Sequence, residues 1–452
     1  MKMTFKLIFS CGALVRRGSL RSVTPSTPSA LPRPHLSHWP LERSQALLER
    51  ATSTIPGLTF SMMKRPDHFA PGSFPVYLAR GRGALVEDVD GNEYVDYVCG
   101  LGATSLGHAH PELLEAARGA LECGFVHSLP TELELEAAHA LLGVVPGAQT
   151  ARFFKTGADA TSAAVRLARA YTGKERIIVI GYNGWHDHFM FDTPGVPAAL
   201  VPLTTRLPLF APSDEARVLD EVRRGKDTVA AVLVALPYNR RVTREFMKAL
   251  RDACTEAGVL LVMDEIVMGF RLALAGAQEH FDVAPDVSTY SKALAAGMPL
   301  SAVVGPRKIL ETMDRLQVST TFGGELVSLA VCLRALQIYR RTPFIAKLAE
   351  LGRTLATGVN QVAESLGAPL RVHGYDAIPF FLFAKTPELH VPLMRQFQGH
   401  MARRGVILRR DLNFICGAHT LEQIEFTIEA ARASLRDMLE AKCFEPSAGG
   451  AG

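Results

Sequence analysis

Between about residues 104 and 330, short apolar runs alternate with segments of helical character. Apolar runs of this kind suit strands that are covered on both faces of a sheet. Strands that alternate with helices form βαβ units, so the pattern predicts an α/β fold with a mostly parallel sheet and helices on both of its faces. In chain order, the runs are ARFF, RIIVI, VAAVLVAL, GVLLVMDEI, DVSTYS and SAVVG.

The segments on either side of this region predict a second, smaller α+β domain. Residues 84–97 alternate around Asp90 and Gly91, which is the signature of a β-hairpin. Long amphipathic segments such as 421–439 return towards the C-terminus, with one apolar patch, IPFFLF, between them. We therefore expect three parts: a disordered or targeting tail over 1–41, a small domain built from 42–103 and 331–445, and a large domain over 104–330.

Charge is unevenly distributed along the chain. The net charge is +4, and residues 1–41 contribute six Lys and Arg and no Asp or Glu, so the rest of the chain carries −2. This balance gives no reason to expect a nucleic-acid partner. The acid-free tail is compatible with an organellar transit peptide or with a disordered extension. We expect a cytoplasmic protein, with an organellar location as the alternative.

Apolar patterning argues against a membrane-spanning protein, and cysteine usage argues against a protein held together by disulfides or a metal site. The sequence has no uncharged apolar run of about 18 residues, so it predicts no membrane span. The seven cysteines are scattered, odd in number and without a C-x-x-C pair. We therefore expect reduced thiols, with neither a disulfide framework nor a metal site.

The first predicted strand leads into a turn that suits an anion. The strand ends at Phe154, the turn consists of Thr156, Gly157 and Ala158, and a helix is expected to begin near Asp159. Ligands bind at the carboxyl ends of strands in such sheets. A helix N-terminus there presents free N–H groups and the positive end of the helix dipole to a phosphate. Helix capping alone would also explain this turn.

Three other predicted strand ends carry side chains that complete a cofactor site. Asp264 follows a buried apolar strand, Lys292 precedes a run of small residues, and Tyr182 lies just past a third strand. Taken singly, each has another explanation: a salt bridge for Asp264, a side chain that reaches solvent for Lys292, and core packing for Tyr182. Taken with the phosphate turn, they match the contacts of pyridoxal phosphate (PLP): the lysine for the aldehyde as a Schiff base, the aspartate for the ring nitrogen, and Tyr182 and Ile266 for the two ring faces.

These motifs resemble the class III aminotransferases, in the branch of glutamate-1-semialdehyde 2,1-aminomutase, over roughly residues 60–440. Asp264 and Lys292 are 28 residues apart, a separation that fits the family. DVDGNEYVDY and GLGATSLGHAHPE resemble the branch's N-terminal segment, KTGADATSAAVRLARAYTG resembles its phosphate turn N-S-G-T-E-A-x-x-x-A-x-R-L-A-R, and DEIVMGFR resembles its D-E-V-x-x-G-F-R.

The resemblance implies a PLP-dependent transferase of fold type I. It implies transfer of an amino group between a small-molecule amine or amino acid and a keto or aldehyde acceptor. Lys292 would form the aldimine with the cofactor and then carry a proton, while Asp264 would keep the pyridine nitrogen protonated. Thr321, in TTFGGE, aligns with a threonine that reaches the phosphate of the partner subunit, which implies a homodimer.

The chain departs from the family's pattern around this site. Thr156 replaces a serine, Ala158 replaces a threonine and Asn183 replaces a histidine. The segment near 237–246 is shortened and lacks a Glu-Pro pair, and the Gly-Ser-rich lid of the aminomutase is absent near 189–200. Because such a lid retains an intermediate between two half-reactions, its absence favours an intermolecular aminotransferase, with the aminomutase as the alternative.

Three other functions fit parts of the sequence. Lys155 begins a K-T-G and Thr289-x-x-Lys292 imitates S-x-x-K, but their order is wrong for a serine acyl hydrolase. A catalytically inactive scaffold of the same fold is a second alternative, against which the two candidate catalytic residues argue. A metal hydrolase would use the pairs His108-x-His110 and His186-x-His188.

Overall fold

The computed structural model describes residues 31–32, 39–384 and 386–445 of the 452-residue chain. The tail predicted over 1–41 lies almost entirely outside these residues, so both interpretations of it stay predictions. Within the described ranges, no helix combines the length and the apolar character that a bilayer span requires.

The described part of the chain is built from short strands and longer helices. The strands are β1 (Leu78–Arg82), β2 (Leu85–Asp88), β3 (Glu93–Asp96), β4 (Thr150–Phe154), β5 (Arg176–Ile180), β6 (Thr204–Leu207), β7 (Val229–Val234), β8 (Leu260–Asp264), β9 (Val287–Tyr290), β10 (Ser301–Gly305), β11 (Arg371–Tyr375), β12 (Ile378–Leu382) and β13 (Val406–Ile407). The helices are α1 (Glu42–Thr52), α2 (Cys99–Gly102), α3 (Pro111–Cys123), α4 (Glu132–Leu142), α5 (Gly157–Thr172), α6 (Asp214–Arg224), α7 (Arg244–Ala257), α8 (Ala277–Phe281), α9 (Arg307–Leu310), α10 (Leu326–Arg341), α11 (Phe344–Leu366), α12 (Pro387–Arg403) and α13 (Leu421–Glu440).

A seven-stranded sheet forms the centre of the molecule, in the order β4-β10-β9-β8-β7-β5-β6. The strands from β9 to β6 in this order are parallel to their neighbours, whereas β10 is antiparallel to both β4 and β9. Every residue of β7 is buried, as expected for a strand covered on both faces. The predicted α/β fold with a mostly parallel sheet is confirmed.

The directions of the strands bring the candidate residues to one edge of this sheet. β5, β7, β8 and β9 run the same way, so their carboxyl ends meet there. β4 runs in that direction too, because it is antiparallel to β10, which is itself antiparallel to β9. The helix that follows β4 therefore begins at the edge where ligands bind in such folds.

The hairpin predicted over 84–97 is confirmed and belongs to a second sheet. Its strands, β2 and β3, pair antiparallel around a turn that contains Gly91, whose φ is 93°. The sheet order is β1-β2-β3-β13, and β13 is parallel to β3. The predicted apolar patch forms β12, which pairs with β11. The division into domains at 103/104 and 330/331 stays a prediction.

The segment labelled α2 is a left-handed turn, a conformation that the sequence did not reveal. Residues 99–102 all have φ between 47° and 84°. Left-handed backbone costs roughly 1–2 kcal/mol for each residue that is not glycine. Asp96 Oδ1 accepts the N–H of Val98 at 2.8 Å, and Arg271 Nη2 donates to Gly102 O at 2.7 Å, so side chains on both sides hold the turn.

Candidate active site

A cavity of about 320 Å³ opens at the carboxyl edge of the central sheet. It is lined by residues from four strand ends and from the start of α5. The structure thus brings together side chains that the sequence placed at separate strand ends. The predicted residues that line it are Thr156, Gly157, Ala158, Tyr182, Asp264, Ile266 and Lys292.

The turn before α5 has the geometry of an anion site. Thr156 Oγ1 accepts the N–H of Asp159 at 3.2 Å, and Asp159 Oδ2 accepts the N–H of Thr156 at 2.8 Å. This capping box starts the helix at Gly157, two residues before the predicted start. The N–H groups of Gly157 and Ala158 have no intrahelical acceptor by geometry, and the Thr156 hydroxyl keeps its own proton to donate.

Glycine is required at position 157 because Ile266 packs against it. A Cβ at this position would lie 2.7 Å from Ile266 Cδ1, a distance that real Cβ contacts essentially never show. Ile266 therefore contacts the anion turn and lines the same cavity. An aliphatic side chain at this place can cover one face of a planar ring, and the contact of Ile266 with the cofactor ring stays a prediction.

Asp264 is a buried carboxylate with two donors. Its Oδ2 accepts Asn183 Nδ2 at 2.9 Å, and its Oδ1 accepts the N–H of Ile266 at 3.1 Å. Burial raises the pKa of this carboxyl to about 6, while the two hydrogen bonds and Lys292 oppose the rise. A cationic nitrogen placed against the carboxylate would lower that pKa again, so the site favours a protonated heterocycle.

Lys292 lines this cavity at the start of a short 3₁₀ helix (Lys292–Ala295) in the loop after β9. It lies two residues beyond β9, and its φ is 48°. Tyr339 Oη donates to Ala293 O at 2.7 Å and so holds the loop from α10. Burial lowers the pKa of the amine to about 8, and Asp264 opposes the shift. Strain at a non-glycine residue beside a depressed amine pKa is characteristic of functional sites.

Aromatic and apolar side chains complete the cavity wall. Tyr182 is 62% exposed, so its ring is free to contact a ligand. Partial burial and the nearby Asp264 raise the pKa of its phenol. Trp185 and Tyr238 also line the cavity, and Tyr238 lies in the segment that lacks the family's Glu-Pro pair. This part of the wall is therefore uncharged.

Asn183 is a site residue that the sequence analysis noticed only as a departure from the family's pattern. It is buried and lines the cavity, and its Nδ2 is the donor to Asp264. Its Oδ1 is buried without a hydrogen-bond partner among the described residues. Residues 183 and 264 are far apart in the sequence, and no local pattern links them. The signal in the sequence that Asn183 belongs to the site was its position directly after Tyr182.

Thr321 does not line this cavity. It borders a neighbouring cavity of about 570 Å³, together with Ser162 of α5 and His186. His186 Nδ1 and Ser162 Oγ are 2.6 Å apart. Within a single chain Thr321 is therefore separate from the cavity of Lys292, and its predicted contact with the partner's cofactor stays a prediction.

Arg271, in the GFR motif, binds backbone. It is buried, it donates to Ile415 O at 3.0 Å and to Gly102 O at 2.7 Å, and its guanidinium lies 4.6 Å from the centre of the Phe414 ring. These contacts tie α2 to the segment after β13. Arg271 therefore acts as a structural residue and not as a substrate clamp.

The geometry does not support the rival hydrolases. Lys155 Nζ is 3.0 Å from Glu325 Oε2 in an ion pair, and Thr289, the would-be nucleophile, is fully buried. His108 Nε2 lies 2.8 Å from Asp96 Oδ2, while burial lowers the pKa of His188 to about 4. In the part of the chain that is described, neither predicted histidine pair belongs to a cluster with metal-ligand spacing.

Comparison with known proteins identifies the family. Residues 69–410 match the family model described as "Aminotransferase class-III". The chain is 32% identical to 3-aminobutyryl-CoA aminotransferase of Cloacimonas acidaminovorans, over 88% of this chain and 98% of that protein. It is 33% identical to glutamate-1-semialdehyde 2,1-aminomutase of Methanothermobacter thermautotrophicus, over 87% of this chain and 99% of that protein.

Solved structures give the same result. The PLP internal aldimine form of FumI from Sphingopyxis sp. MTA144 matches with a TM-score of 0.83 and 29% identity, over 89% of this chain and 97% of that one. A transaminase with PLP bound matches with a TM-score of 0.80 and 26% identity, over 89% of this chain and 99% of that one. Both confirm the predicted PLP-dependent fold.

The residues present fit this cofactor. The N-terminus of α5, where Gly157 leaves no room for a Cβ beside Ile266, suits the phosphate. The buried carboxylate of Asp264 suits a protonated ring nitrogen. The amine of Lys292 opens on the same cavity. Together with the family match, these features make the chain a PLP-dependent member of the class III aminotransferase family, whose substrates are small-molecule amino donors and carbonyl acceptors.

Proposed function

We propose that this enzyme transfers an amino group between two separate small molecules, an amine or amino acid and a keto or aldehyde acceptor, with Lys292 and Asp264 as its catalytic residues. The observation that carries the proposal is that the Lys292 amine, the Asp264 carboxylate and the N-terminus of α5 line one cavity. Bound PLP supplies an electron sink for the carbanion that forms when the substrate carbon loses its proton.

Lys292 acts as the base that moves this proton. With a pKa of about 8, roughly a tenth of the amine is neutral at pH 7, far more than for an exposed lysine. A neutral amine could accept the proton of the substrate carbon and later return it to the substrate. The hydrogen bond from Tyr339 to Ala293 keeps the loop, and hence the amine, in place.

Asp264 keeps the ring nitrogen protonated. Two unit charges about 4 Å apart interact with roughly 4 kcal/mol at an effective dielectric near 20. That corresponds to about 3 pKa units, which holds a pyridinium through neutral pH. The donors from Asn183 and Ile266 fix the carboxylate and keep both of its oxygens from rotating away.

The turn before α5 holds the phosphate. The Thr156 hydroxyl and the N–H groups of Gly157 and Ala158 are its donors, and hydrogen bonds to charged groups are worth roughly 1.5–3 kcal/mol each. The helix dipole adds about 0.3–2 kcal/mol. A threonine in place of a serine at 156 keeps the hydroxyl, whereas Ala158 lacks one that the family usually has.

Intramolecular transfer, as in the aminomutases, is the second candidate, because one of the matched relatives bears that name. The segment that follows β5 favours the intermolecular reaction. It passes through a 3₁₀ helix (Ala198–Leu203) directly into β6, without a Gly-Ser-rich lid. An uncovered site lets the first product leave and the second substrate enter.

The enzyme works as a homodimer in this proposal, with Thr321 contacting the partner's phosphate. The segment of Thr321 is joined to the loop before α4, because the N–H of Leu326 binds Phe125 O at 3.0 Å. Both segments carry exposed apolar side chains. Large exposed apolar side chains in these segments favour burial against a second subunit. The exposed side chains are Phe125, Leu129, Leu135 and Phe322. Light scattering would measure the mass, and Thr321→Ala should weaken PLP binding in the dimer.

We place the enzyme in the cytoplasm, with an organelle as the alternative that the basic tail suggests. Residues 1–30 and 33–38 are outside the described structure, so composition is the support here. Imaging the full chain and a version without residues 1–41, each tagged at the C-terminus, distinguishes the two. A tail-dependent organellar signal would replace the cytoplasmic assignment.

A donor screen tests the reaction. The PLP-loaded enzyme is mixed with single amines and amino acids, and loss of the PLP band with gain of the pyridoxamine phosphate band is followed before any acceptor is added. Conversion by a donor, reversed by a separate keto or aldehyde acceptor, is the expected result. Turnover of glutamate-1-semialdehyde alone would favour the aminomutase, and no conversion with any donor would favour an inactive scaffold.

A further inference from the structure

Three buried side chains with metal-binding atoms form a cluster outside the active site. Cys99 begins the left-handed turn α2, and Cys416 and His419 follow β13. One ligand atom of each residue lies within 4.8 Å of the others, and each side chain is at most 1% exposed. Both thiols are free of disulfides.

The spacing is close to that of a zinc centre. Zn–S bonds of about 2.3 Å and Zn–N bonds of about 2.0–2.1 Å in a tetrahedron place the donors roughly 3.5–3.8 Å apart. The limit of 4.8 Å on the distances between the three ligand atoms exceeds this separation by about 1 Å, so the side chains would move closer together on binding. Two thiolates and an imidazole are a ligand set that selects soft transition metals over Mg²⁺ or Ca²⁺.

A cationic side chain lies beside the cluster. The Arg271 guanidinium donates to Ile415 O at 3.0 Å, next to Cys416, and to Gly102 O at 2.7 Å, in the turn that Cys99 begins. Thiolates are the form of cysteine that binds a metal, so a bound cation would displace the thiol protons.

His419 has an unused buried nitrogen. Its Nδ1 accepts the N–H of Cys416 at 3.0 Å, and its Nε2 is buried without a partner among the described residues. The ring stacks on Tyr97 with 4.7 Å between centroids, which fixes its plane. A metal at Nε2 would replace the missing partner, at the expense of the hydrogen bond from Cys416, because the remaining ring proton would then lie on Nδ1.

We propose that Cys99, Cys416 and His419 bind one Zn²⁺ ion in a closed structural site. A fully buried cluster is suited to a structural ion, which is acquired during folding, and unsuited to thiol oxidation, which needs access to solvent. The carbonyl oxygens of Asp96 and Phe414 lie 3.1 and 3.6 Å from Cys99 Sγ, and one of them would supply the fourth ligand of a tetrahedral site.

The site would stabilise the loop of Lys292 through three contacts. The N–H of Gly417 binds Ser105 O at 2.7 Å, and Ser105 Oγ lies 2.5 Å from Tyr339 Oη. Tyr339 Oη in turn donates to Ala293 O at 2.7 Å. An ion that joins α2 to the segment after β13 would therefore hold the scaffold on which the catalytic lysine rests. The proposal concerns stability and stands whichever amino donor the enzyme uses.

Metal content is the first test. The enzyme is expressed with zinc in the medium, purified with PLP bound, passed through a weak chelating resin and analysed by atomic emission. We expect about one Zn²⁺ per chain in the wild type and in the Cys123→Ser control, whose cysteine is exposed and far from the cluster in sequence. Cys99→Ser, Cys416→Ser and His419→Asn should each lose most of it. Zinc that stays in all three variants overturns the proposal.

A second test uses only the wild type and so does not depend on variants that fold. A strong chelator applied at mildly elevated temperature should remove the ion, lower the Tm by several degrees and leave both thiols titratable after denaturation, and added Zn²⁺ should restore the Tm. A wild-type enzyme without zinc and with an unchanged Tm contradicts the proposal. A disulfide between Cys99 and Cys416, detected by mass spectrometry of the native protein, also contradicts it.

Discussion

Asn183 Nδ2 donates a 2.9 Å hydrogen bond to Asp264 Oδ2 across the end of β7, the strand that separates β5 from β8. A histidine is usual at this position in the family that the chain resembles. The amide supplies the same donor without a titratable group. The orientation of the Asp264 carboxylate is therefore set by a neutral side chain and does not change with protonation of its neighbour.

Asn183→Ala should weaken the binding of PLP and shift the pH at which the ring nitrogen of bound PLP titrates. Loss of a hydrogen bond to a charged group costs roughly 1.5–3 kcal/mol, so PLP should bind about 10- to 150-fold more weakly. Fluorescence titration of the apoenzyme with PLP gives the affinity. A pH titration that follows the absorbance of bound PLP reports the protonation of its ring nitrogen. Asn183→His restores a donor and should recover most of the affinity. Equal affinity for the alanine variant and the wild type would refute a role for Asn183.

Asp264→Asn should keep PLP bound but slow the chemistry. The substitution removes the negative charge opposite the ring nitrogen, an interaction worth roughly 4 kcal/mol, so the half-reaction with a donor should slow by about 10²- to 10³-fold. Stopped-flow absorbance measures that step. A half-reaction at the wild-type rate would mean that another group protonates the ring.

Lys292→Met should stabilise the apoenzyme at neutral pH. The pKa of the lysine falls from 10.5 to about 8 on folding. Below pH 8 both states carry the proton, and burying the charge costs roughly 3 kcal/mol. Between pH 8 and 10.5 the unfolded chain binds more protons than the folded one, so the stability of the wild type rises with pH. The advantage of the variant, measured by urea unfolding at several pH values, should shrink through that window. A constant difference would contradict the burial of a charged amine.

Gly157→Ala should disturb the anion turn. The added Cβ would lie 2.7 Å from Ile266 Cδ1, so the isoleucine must move into the cavity or the turn must shift. We expect about tenfold weaker PLP binding, which corresponds to about 1.4 kcal/mol. Gly119→Ala is the matched control, because its Cβ would meet nothing within 4 Å in α3. If both variants bind PLP as the wild type does, the contact has no role in binding.

Local patterns predicted much of this site. The parallel sheet and the residues at its strand ends follow from apolar runs and from what terminates them, and so Lys292 and Asp264 were placed correctly at one edge. The start of α5 was predicted two residues late because Asp159 is the third helical residue, which forms a capping box with Thr156, and not the residue that begins the helix. The contact of Asn183 with Asp264 was not predicted, because the two residues face each other across the end of another strand.

Other features depend on contacts that no local pattern carries. Cys99 and Cys416 are brought together by the pairing of β3 with β13, so no local motif such as C-x-x-C marks the cluster that they form with His419. Thr321 lies outside the cavity of its own chain, and its role depends on a second subunit. The left-handed turn at residues 99–102 contains two non-glycine residues, which sequence rules disfavour.

The central claim is that the Lys292 amine holds the cofactor. Borohydride reduction of the PLP-loaded enzyme fixes any Schiff base as a stable amine, and peptide mass spectrometry then locates the phosphopyridoxyl group. The account predicts modification at Lys292, and a reduced Lys292→Ala enzyme without a specific label. Modification at Lys155, which follows β4 next to the anion turn, or at any other lysine with Lys292 unlabelled, would contradict it.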